Sequence, residues 1–217
     1  MYETIAFVDF DGTITMEDTL EGAIRLFATQ EEFDRVKGKL AAGEMTLSQV
    51  VRYAFDGAPS DRLPRMMEYV EGVALRPGFP AFLDEMDRRG IPVVVVSGGV
   101  RRFVEKRLAP WRDRLLGLHA VDLDVSGPGM KLISPYDDGN ELLKKTDVMA
   151  LYDYRHAIGV GDSFTDMKMG MAVDAIFARD VLAQDPAKVG RPYLPYETFF
   201  DVNKALENGL VPFVWPV

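Results

Sequence analysis

Short apolar runs and amphipathic stretches alternate along most of the chain. The clearest apolar run, Pro92–Val96, contains four consecutive valines and predicts a strand that is buried on both faces. An earlier run, Ile5–Val8, ends at Asp9 and is followed by the turn signal Asp11-Gly12, so it also predicts a buried strand. Two further strands are predicted at His156–Val160 and Asp174–Ala178.

Helical periodicity fills the intervals between these strands. In Phe79–Arg88 the apolar residues Phe79, Phe82, Leu83 and Met86 recur at the spacing of one helix face. Shorter helices are predicted at Arg101–Leu108, Thr146–Tyr154 and Asp166–Ala172. Strands that alternate with helices indicate an α/β fold with a mostly parallel sheet. Val121–Pro135, centred on Gly127-Pro128-Gly129, predicts a β-excursion with a tight turn.

One long segment departs from this alternation. Between Glu17 and Ala74 the pattern is helical throughout, and the breakers Ala42-Gly43 and Gly57-Ala58-Pro59 divide it. We therefore predict a separate module of four helices, inserted after the first strand. The predicted boundaries are residues 16–74 for this module, and residues 1–15 and 75–217 for the α/β core.

Composition excludes several kinds of chemistry. The 217 residues include 34 acidic and 25 basic side chains, a formal charge of −9, whereas nucleic-acid-binding proteins usually carry a basic surface. The absence of cysteine excludes disulfides, thiolate metal sites and a cysteine nucleophile, and two histidines (His119 and His156) make a multi-histidine site unexpected. Without a basic N-terminal signal or a membrane-length apolar run, we expect a cytoplasmic protein with neither nucleic-acid nor membrane partners.

Polar residues follow three of the predicted strands. Asp9-Phe10-Asp11-Gly12-Thr13 follows the first, Ser97-Gly98-Gly99 the second, and Gly161-Asp162-Ser163 the third, with Asp166 four residues after Asp162. Parallel sheets bind ligands at the carboxyl ends of their strands, so these segments are expected to converge. Four carboxylates that lie close together require a hard cation, and oxygen ligands favour Mg²⁺. Such a site, with hydroxyls and backbone N–H groups nearby, is suited to a phosphate.

These segments, together with Lys145, resemble the four motifs of the haloacid dehalogenase superfamily of aspartyl-phosphate phosphatases. The order, the strand context and the spacing of the motifs all agree. The position and helical character of the insert are similar to the cap domain of the phosphoserine-phosphatase-like branch. The resemblance therefore implies a Rossmann-like core, with residues 16–74 as an inserted helical cap.

The resemblance also implies a role for each matching residue. Asp9 would be the nucleophile and Asp11 the general acid and base, which requires a raised pKa at Asp11. Asp9, Asp11, Asp162 and Asp166 would form the Mg²⁺ site, in which Asp166 orders the metal's water shell or Lys145. Phosphate oxygens would be bound by the remaining residues of the motifs: Thr13, Ser97 and Gly98.

Two assignments remain open: which of two adjacent lysines is catalytic, and whether Asp18 binds substrate or caps a helix. Lys145 is preferred to Lys144 as the catalytic lysine because it begins a predicted helix, where this branch places its lysine. Asp18 occupies the place of a glutamate that faces the substrate's amino group in phosphoserine phosphatases. The sequence Asp18-x-x-Glu21 equally fits a helix capping box.

The substrate implied is a small phosphorylated metabolite. Phe177-Ala178-Arg179-Asp180, Leu194-Pro195-Tyr196 and Phe199 resemble a methionine-salvage subgroup of the branch, which implies 2-hydroxy-3-keto-5-methylthiopentenyl-1-phosphate. The chain lacks the cysteine-rich stretch that some members of the subgroup carry between Asp124 and Asn140. The alternatives are a phosphoserine phosphatase and, in another class, a non-catalytic phospho-acceptor protein. The helical insert and the second acid, Asp11, argue against the latter.

Overall fold

The computed structural model describes residues 1–184 and 193–212 of the chain. Seven strands form one sheet in the order β4-β3-β2-β1-β5-β6-β7. Each pair of neighbours is parallel except β3 and β4, which form an antiparallel hairpin. The strands are β1 (Tyr2–Val8), β2 (Val93–Val100), β3 (Leu115–Asp124), β4 (Lys131–Ile133), β5 (Tyr154–Gly161), β6 (Ala175–Ala178) and β7 (Leu194–Pro195). The prediction of an α/β fold with a mostly parallel sheet is confirmed.

Helices cover both faces of the sheet. Along β1, Ile5 and Phe7 belong to one hydrophobic cluster and Ala6 and Val8 to another, as the alternation of side chains along a strand requires. The helices in the described ranges are α1 (Thr19–Arg25), α2 (Gln30–Ala41), α3 (Leu47–Phe55), α4 (Leu63–Gly72), α5 (Phe79–Arg89), α6 (Arg101–Leu108), α7 (Lys145–Met149), α8 (Met167–Ala172), α9 (Asp180–Gln184) and α10 (Phe199–Glu207).

The four predicted helices between β1 and α5 are all present. Helices α2 and α3 begin with complete capping boxes, whose N-cap residues are Thr29 and Thr46. Two short extended segments cross between these helices and the sheet. They pair through Thr15 and Leu75, and the Met16 amide donates to the Ala74 carbonyl at 2.9 Å. The boundaries at residues 16 and 74 lie at this crossing and stay a prediction.

Helix α3 and the residues after it are hydrogen-bonded to the β3–β4 hairpin and to the loop that follows it. The Gly57 amide donates to the Met130 carbonyl at 2.8 Å, and the Met130 amide donates to the Ala58 carbonyl at 2.7 Å. Arg52 on α3 forms an ion pair with Asp137 at 2.7 Å. Because residues 134–144 lead directly to Lys145, the inserted helices are bound to the segment that carries this lysine.

Several predicted boundaries are wrong in detail. The helix expected over Thr146–Tyr154 is α7, which ends at Met149, because Tyr154 begins β5 and pairs with Tyr2. Ser97-Gly98-Gly99, expected after the end of the predicted strand, continues β2 as far as Val100, and a register irregularity separates Val96 from Val100. His119 lies inside β3, where its Nε2 atom is 2.7 Å from the Tyr152 hydroxyl.

The antiparallel excursion predicted over Val121–Pro135 is confirmed as the hairpin of β3 and β4. The sequence prediction missed the first half of β3, the short strand β7 and the helices α9 and α10. Among the described residues, no helix combines the length and the apolar character that crossing a membrane requires.

Candidate active site

The predicted motifs meet where β1, β2 and β5 end. Asp9 follows β1 at the middle of the sheet, and its amide donates to the Val160 carbonyl of β5 at 3.0 Å. This bond fixes the start of the turn Phe10–Ile14 against the neighbouring strand. Residues that are more than 130 positions apart in the sequence thus line one small region, as the parallel topology requires.

Lys145 joins two buried carboxylates. Its Nζ atom donates to Asp9 Oδ1, and it donates to Asp166 Oδ1 at 2.5 Å. The three side chains are at most 7 % exposed, so this ion-pair network is shielded from water. Burial alone would lower the pKa of Lys145, but the charges of Asp166 and Asp9 raise it above its ordinary value. The lysine therefore holds a fixed positive charge beside Asp9.

Lys144, the alternative lysine, lies at the surface. Its Nζ atom pairs with Asp147 at 2.7 Å, and about a third of its side chain is exposed (35 %). Of the two lysines, the structure therefore brings only Lys145 to the carboxylates.

Asp162 lies close to Asp9. Its Oδ1 atom accepts a hydrogen bond from the Thr13 hydroxyl at 3.1 Å, and its carboxylate is packed against Gly12. Gly12 has a φ of +76°, and any Cβ there would overlap with the Asp162 carboxylate. Glycine is therefore required at this position by both the backbone and the packing.

Carboxylate oxygens of Asp9, Asp162 and Asp166 lie within 4.8 Å of one another. Burial, and then the charges of Asp9 and Asp166, raise the pKa of Asp162 to about 8. Burial and the charge of Asp166 outweigh the effect of Lys145 and raise the pKa of Asp9 to about 7. The positive charge of one lysine thus offsets only part of the negative charge of the three carboxylates. Carboxylate oxygens are hard donors, so this group fits a divalent cation such as Mg²⁺.

Asp166 also organises the turn after β5. Its Oδ2 atom accepts hydrogen bonds from the amides of Asp162 and Ser163 at 3.1 and 3.0 Å. It is fully buried, and its other oxygen binds Lys145. Asp166 therefore positions both Asp162 and Lys145.

Asp11 points toward the first inserted helix. Its Oδ1 atom accepts hydrogen bonds from the Thr19 amide at 2.7 Å and the Thr19 hydroxyl at 2.5 Å. Burial, and then the charge of Asp18, raise the pKa of Asp11 well above its ordinary value. Its Oδ2 atom lies beside Gly99, where a Cβ would overlap with it. Asp11 is therefore held between the helical insert and the end of β2.

The predicted phosphate-binding residues surround the same region. Ser97 is fully buried, and its hydroxyl accepts a hydrogen bond from the Gly99 amide at 2.9 Å. Gly98 is half-buried, with open space where a Cβ would lie. Thr13 is fully buried and directs its hydroxyl to Asp162.

Asp18 is exposed and caps helix α1. Its Oδ1 atom accepts the Glu21 amide at 2.7 Å, which is the N-cap half of the predicted capping box. The Glu21 side chain does not complete the box and pairs with Arg25 at 2.9 Å instead.

The sequence analysis did not assign three residues of this region to the site. Thr19 binds Asp11, Arg76 binds carbonyls of the Phe10–Ile14 turn, and the Tyr196 hydroxyl donates to the Gly161 carbonyl at 3.4 Å. Backbone carbonyls have no signature in a sequence, so the partners of Arg76 could not be recognised from it.

A family model agrees with this geometry. The model of the haloacid dehalogenase-like hydrolases matches residues 6–171. The chain belongs to this family. The match runs from β1 through α8 and so includes every residue of the four motifs. The resemblance inferred from those motifs is confirmed.

Relatives that align with this chain over nearly their whole length share the name of one phosphatase. The chain is 31 % identical over 204 residues to the 2-hydroxy-3-keto-5-methylthiopentenyl-1-phosphate phosphatase of Microcystis aeruginosa (strain NIES-843 / IAM M-2473), covering 93 % of this chain and 97 % of the relative. It is also 31 % identical over 222 residues to the phosphatase of the same name from Geobacillus kaustophilus (strain HTA426), with 95 % and 96 % covered. This member of the family is therefore a phosphatase.

The fold also matches solved structures. A phosphoserine phosphatase from T. onnurineus superposes with a TM-score of 0.69, covering 95 % of this chain and 96 % of that chain at 17 % identity. At this identity the similarity establishes the shared fold, including the helical insert, and does not extend to the substrate.

Proposed function

We propose that this chain is a Mg²⁺-dependent phosphomonoester hydrolase that acts through an aspartyl-phosphate. The observation that supports this most directly is the position of Asp9. It lies at the end of the central strand, bound to Lys145 and within reach of the carboxylates of Asp162 and Asp166. A carboxylate in such a site can act as a nucleophile toward phosphorus.

In the first step an oxygen of Asp9 forms a bond to the phosphorus while the bond to the leaving oxygen breaks. Asp9 must be ionised for this step, yet burial raises its pKa to about 7. The positive charge of Lys145 favours the ionised form, and it also offsets the negative charge that the phosphate adds. Most of the catalysis is then electrostatic, as is usual for phosphoryl transfer.

Asp11 is proposed to deliver the proton in this step. The leaving oxygen takes a proton from Asp11 and departs as an alcohol. Asp11 then removes a proton from the water that attacks the aspartyl-phosphate, which releases phosphate and restores Asp9. The raised pKa of Asp11 supports this role, because the group must be protonated when the ester binds.

The phosphoryl oxygens are proposed to bind Ser97, Thr13 and the backbone at Gly98. Gly98 leaves open space at the end of β2, and Ser97 lies beside the Asp11 carboxylate across Gly99. Asp9, Asp162 and Asp166, with the Asp11 carbonyl, are proposed to hold Mg²⁺. When bound, the metal would supply positive charge at the phosphoryl oxygens.

For the substrate we propose 2-hydroxy-3-keto-5-methylthiopentenyl-1-phosphate, as the names of the full-length relatives suggest. Phosphoserine is the second candidate, because the fold matches phosphoserine phosphatases. This alternative would need Asp18 to face the amino group of phosphoserine, but one oxygen of its carboxylate already caps α1. A non-catalytic phospho-acceptor is disfavoured by the family and by the names of its relatives.

The mechanism is tested by Asp9→Asn, with the exposed Asp113→Asn as the matched control. We expect Asp9→Asn to abolish hydrolysis of p-nitrophenyl phosphate while its circular dichroism spectrum is unchanged, and Asp113→Asn to keep full activity. Retained turnover in folded Asp9→Asn would contradict the mechanism. Chelation with EDTA should abolish activity and added Mg²⁺ should restore it, whereas full activity in excess chelator would contradict the metal assignment.

The substrate is tested with a panel of phosphorylated metabolites that includes both candidates. The quantity compared is kcat/KM, since discrimination between substrates is expressed in this ratio. We expect the highest value for the methylthiopentenyl phosphate. A higher value for phosphoserine would favour the second candidate.

A further inference from the structure

Arg76 is a buried arginine whose side-chain hydrogen bonds, within the described residues, all go to backbone carbonyls. It lies in the second crossing segment, directly after Leu75, and is 3 % exposed. Its Nε atom donates to the Thr13 carbonyl at 2.7 Å, and its Nη2 atom donates to the Gly12 carbonyl at 2.5 Å. Longer bonds of 3.4 and 3.2 Å reach the carbonyls of Thr15 and Glu197. Arg76 thus connects the turn after Asp9, the crossing segment and the segment before α10.

Its contacts differ from those of an ordinary buried arginine. Among the described residues, Arg76 forms no ion pair with a carboxylate, although burying an unpaired charge is costly. A second guanidinium, that of Arg179, donates to the same Gly12 carbonyl at 3.3 Å. Two cations at one carbonyl repel each other, and the nearby Asp162 charge offsets part of this repulsion. Such an arrangement stabilises one particular shape of the turn.

The hydrogen bonds from Arg76 to the Gly12 and Thr13 carbonyls fix the orientation of these two peptide groups, and with it the positions of Asp11 and of the Thr13 side chain. The two peptide planes must face the guanidinium, which presents its N–H groups in a rigid planar fork. Asp11 directly precedes this pair and carries the carboxylate that binds Thr19, while the Thr13 hydroxyl binds Asp162. A rotation of either peptide plane would therefore move Asp11 or Thr13 relative to Asp9.

We propose that Arg76 is a positioning residue for the reaction. It holds the Asp9–Thr15 turn in its reactive shape through the carbonyls of Gly12 and Thr13. Because Arg76 directly follows Leu75, it also links the conformation of this turn to the position of the second crossing segment, which leads out of the helical insert. The inference rests on the proposed function only in that Asp9 and Asp11 carry out the reaction.

The kinetic test compares Arg76→Lys with Arg114→Lys. Arg114 is the control, because its guanidinium also binds two groups, Asp84 at 2.8 Å and Asp87 at 2.6 Å, but it lies directly before the start of β3, at the end of the sheet away from the site. An ammonium cannot reproduce the fork, so we expect Arg76→Lys to lower kcat for p-nitrophenyl phosphate by about tenfold or more. KM should change by less than about threefold, since substrate contacts are unaltered.

Arg114→Lys should leave kcat within about twofold of the unmodified protein, since changes away from a site have small effects. The proposal is overturned if Arg76→Lys keeps its kcat, or if both variants lose kcat equally.

A second measurement does not depend on activity. Hydrogen–deuterium exchange of a peptide covering residues 9–17 reports the amides of the turn, among them that of Thr15, which donates to the Phe10 carbonyl. We expect faster exchange of this peptide in Arg76→Lys and unchanged exchange in Arg114→Lys. Unchanged exchange in both variants would overturn the proposal. If instead folded Asp9→Asn stays active while exchange behaves as expected, the proposed mechanism fails and the positioning role stands.

Discussion

Thr19 and Asp11 link the helical insert to the proposed general acid. The Thr19 amide and hydroxyl both donate to one oxygen of the Asp11 carboxylate, at 2.7 and 2.5 Å. Thr19 is the first residue of α1, so the start of the insert contacts this acid directly. Because these bonds stabilise the ionised form, they lower a pKa that burial otherwise raises. The pKa of Asp11 therefore depends on the position of helix α1 relative to the turn that carries Asp11.

The first prediction concerns this hydroxyl. Thr19→Val removes one bond to the ionised carboxylate, so the pKa of Asp11 should rise further. The general acid then stays protonated to a higher pH, and the basic limb of the kcat profile should move to higher pH. A pH–rate profile measures this, with Thr19→Ser as the variant that keeps the hydroxyl. An unmoved limb in Thr19→Val, or an equal shift in Thr19→Ser, would be inconsistent with the assignment.

The second prediction separates the neighbouring lysines. Lys145→Met removes the charge that lies between Asp9 and Asp166, whereas Lys144→Met removes only a surface pair with Asp147. We expect kcat to fall by about a hundredfold to a thousandfold in Lys145→Met and to change little in Lys144→Met. Steady-state kinetics on both purified proteins tests this. Equal effects, or a larger loss in Lys144→Met, would contradict the assignment of Lys145.

The third prediction concerns pH and metal. The pKa of Asp9 is about 7 and that of Asp162 about 8, against an ordinary value of 3.8. The metal-free folded protein therefore holds protons that the unfolded chain has lost, and its stability should fall as pH rises from about 4 to about 8. Mg²⁺ displaces these protons, so it should raise Tm more at about pH 8.5 than at about pH 5.5.

Thermal melts with EDTA and with Mg²⁺ at both pH values measure this effect. Asp162→Asn is the control, because it removes one of the shifted groups and should flatten the dependence of Tm on pH. A Mg²⁺ effect that is larger at the lower pH would contradict the prediction.

The fourth prediction concerns the bond between α3 and the loop before Lys145. The Asp137 carboxylate accepts from Arg52 Nη2 at 2.7 Å and from the Ser48 hydroxyl at 3.0 Å. Asp137→Asn should lower the free energy of unfolding by about 2 kcal/mol, as is usual for hydrogen bonds to charged groups. Urea unfolding of Asp137→Asn, Arg52→Met and the double variant gives the coupling energy.

The exposed pair Arg155–Glu3, at 3.2 Å, provides the matched cycle and should show a coupling of about 0.5 kcal/mol or less. A coupling for Arg52 and Asp137 that is no larger than this would show that the pair contributes little to holding the insert.

The site could be predicted from the sequence because its residues follow strands. An apolar run fixes where a parallel strand ends, and the topology then brings Asp9, Ser97 and Asp162 to one edge. Lys145 was placed by its motif and by the start of a helix, and the structure puts it against Asp9. The contacts of Arg76 and Thr19 could not be predicted in this way, because they depend on how two crossing segments and the first turn of α1 meet the core.

The missed elements have different physical reasons. The first half of β3 is interrupted by Gly117 and His119, which weaken its apolar pattern. Helix α10 did have a signal, since Thr198 and Asp201 form a capping box before a face that contains Val202 and Leu206. The predicted helix over residues 146–154 was too long, because pairing between Tyr154 and Tyr2 is a tertiary contact that overrides local periodicity.

The central position of β1 has a consequence for the way this chain is made. β1 is synthesised before the other strands of this sheet, but its neighbours, β2 and β5, come from residues 93–100 and 154–161. During translation the backbone edges of this apolar strand therefore stay unpaired until most of the chain has been made. Unpaired strand edges of this kind promote aggregation. Glu3 at one end and Asp9 and Asp11 at the other place charge on both sides of the run Ile5–Val8. We expect these acids to act as gatekeepers against aggregation on the ribosome, before Asp9 and Asp11 take part in any chemistry.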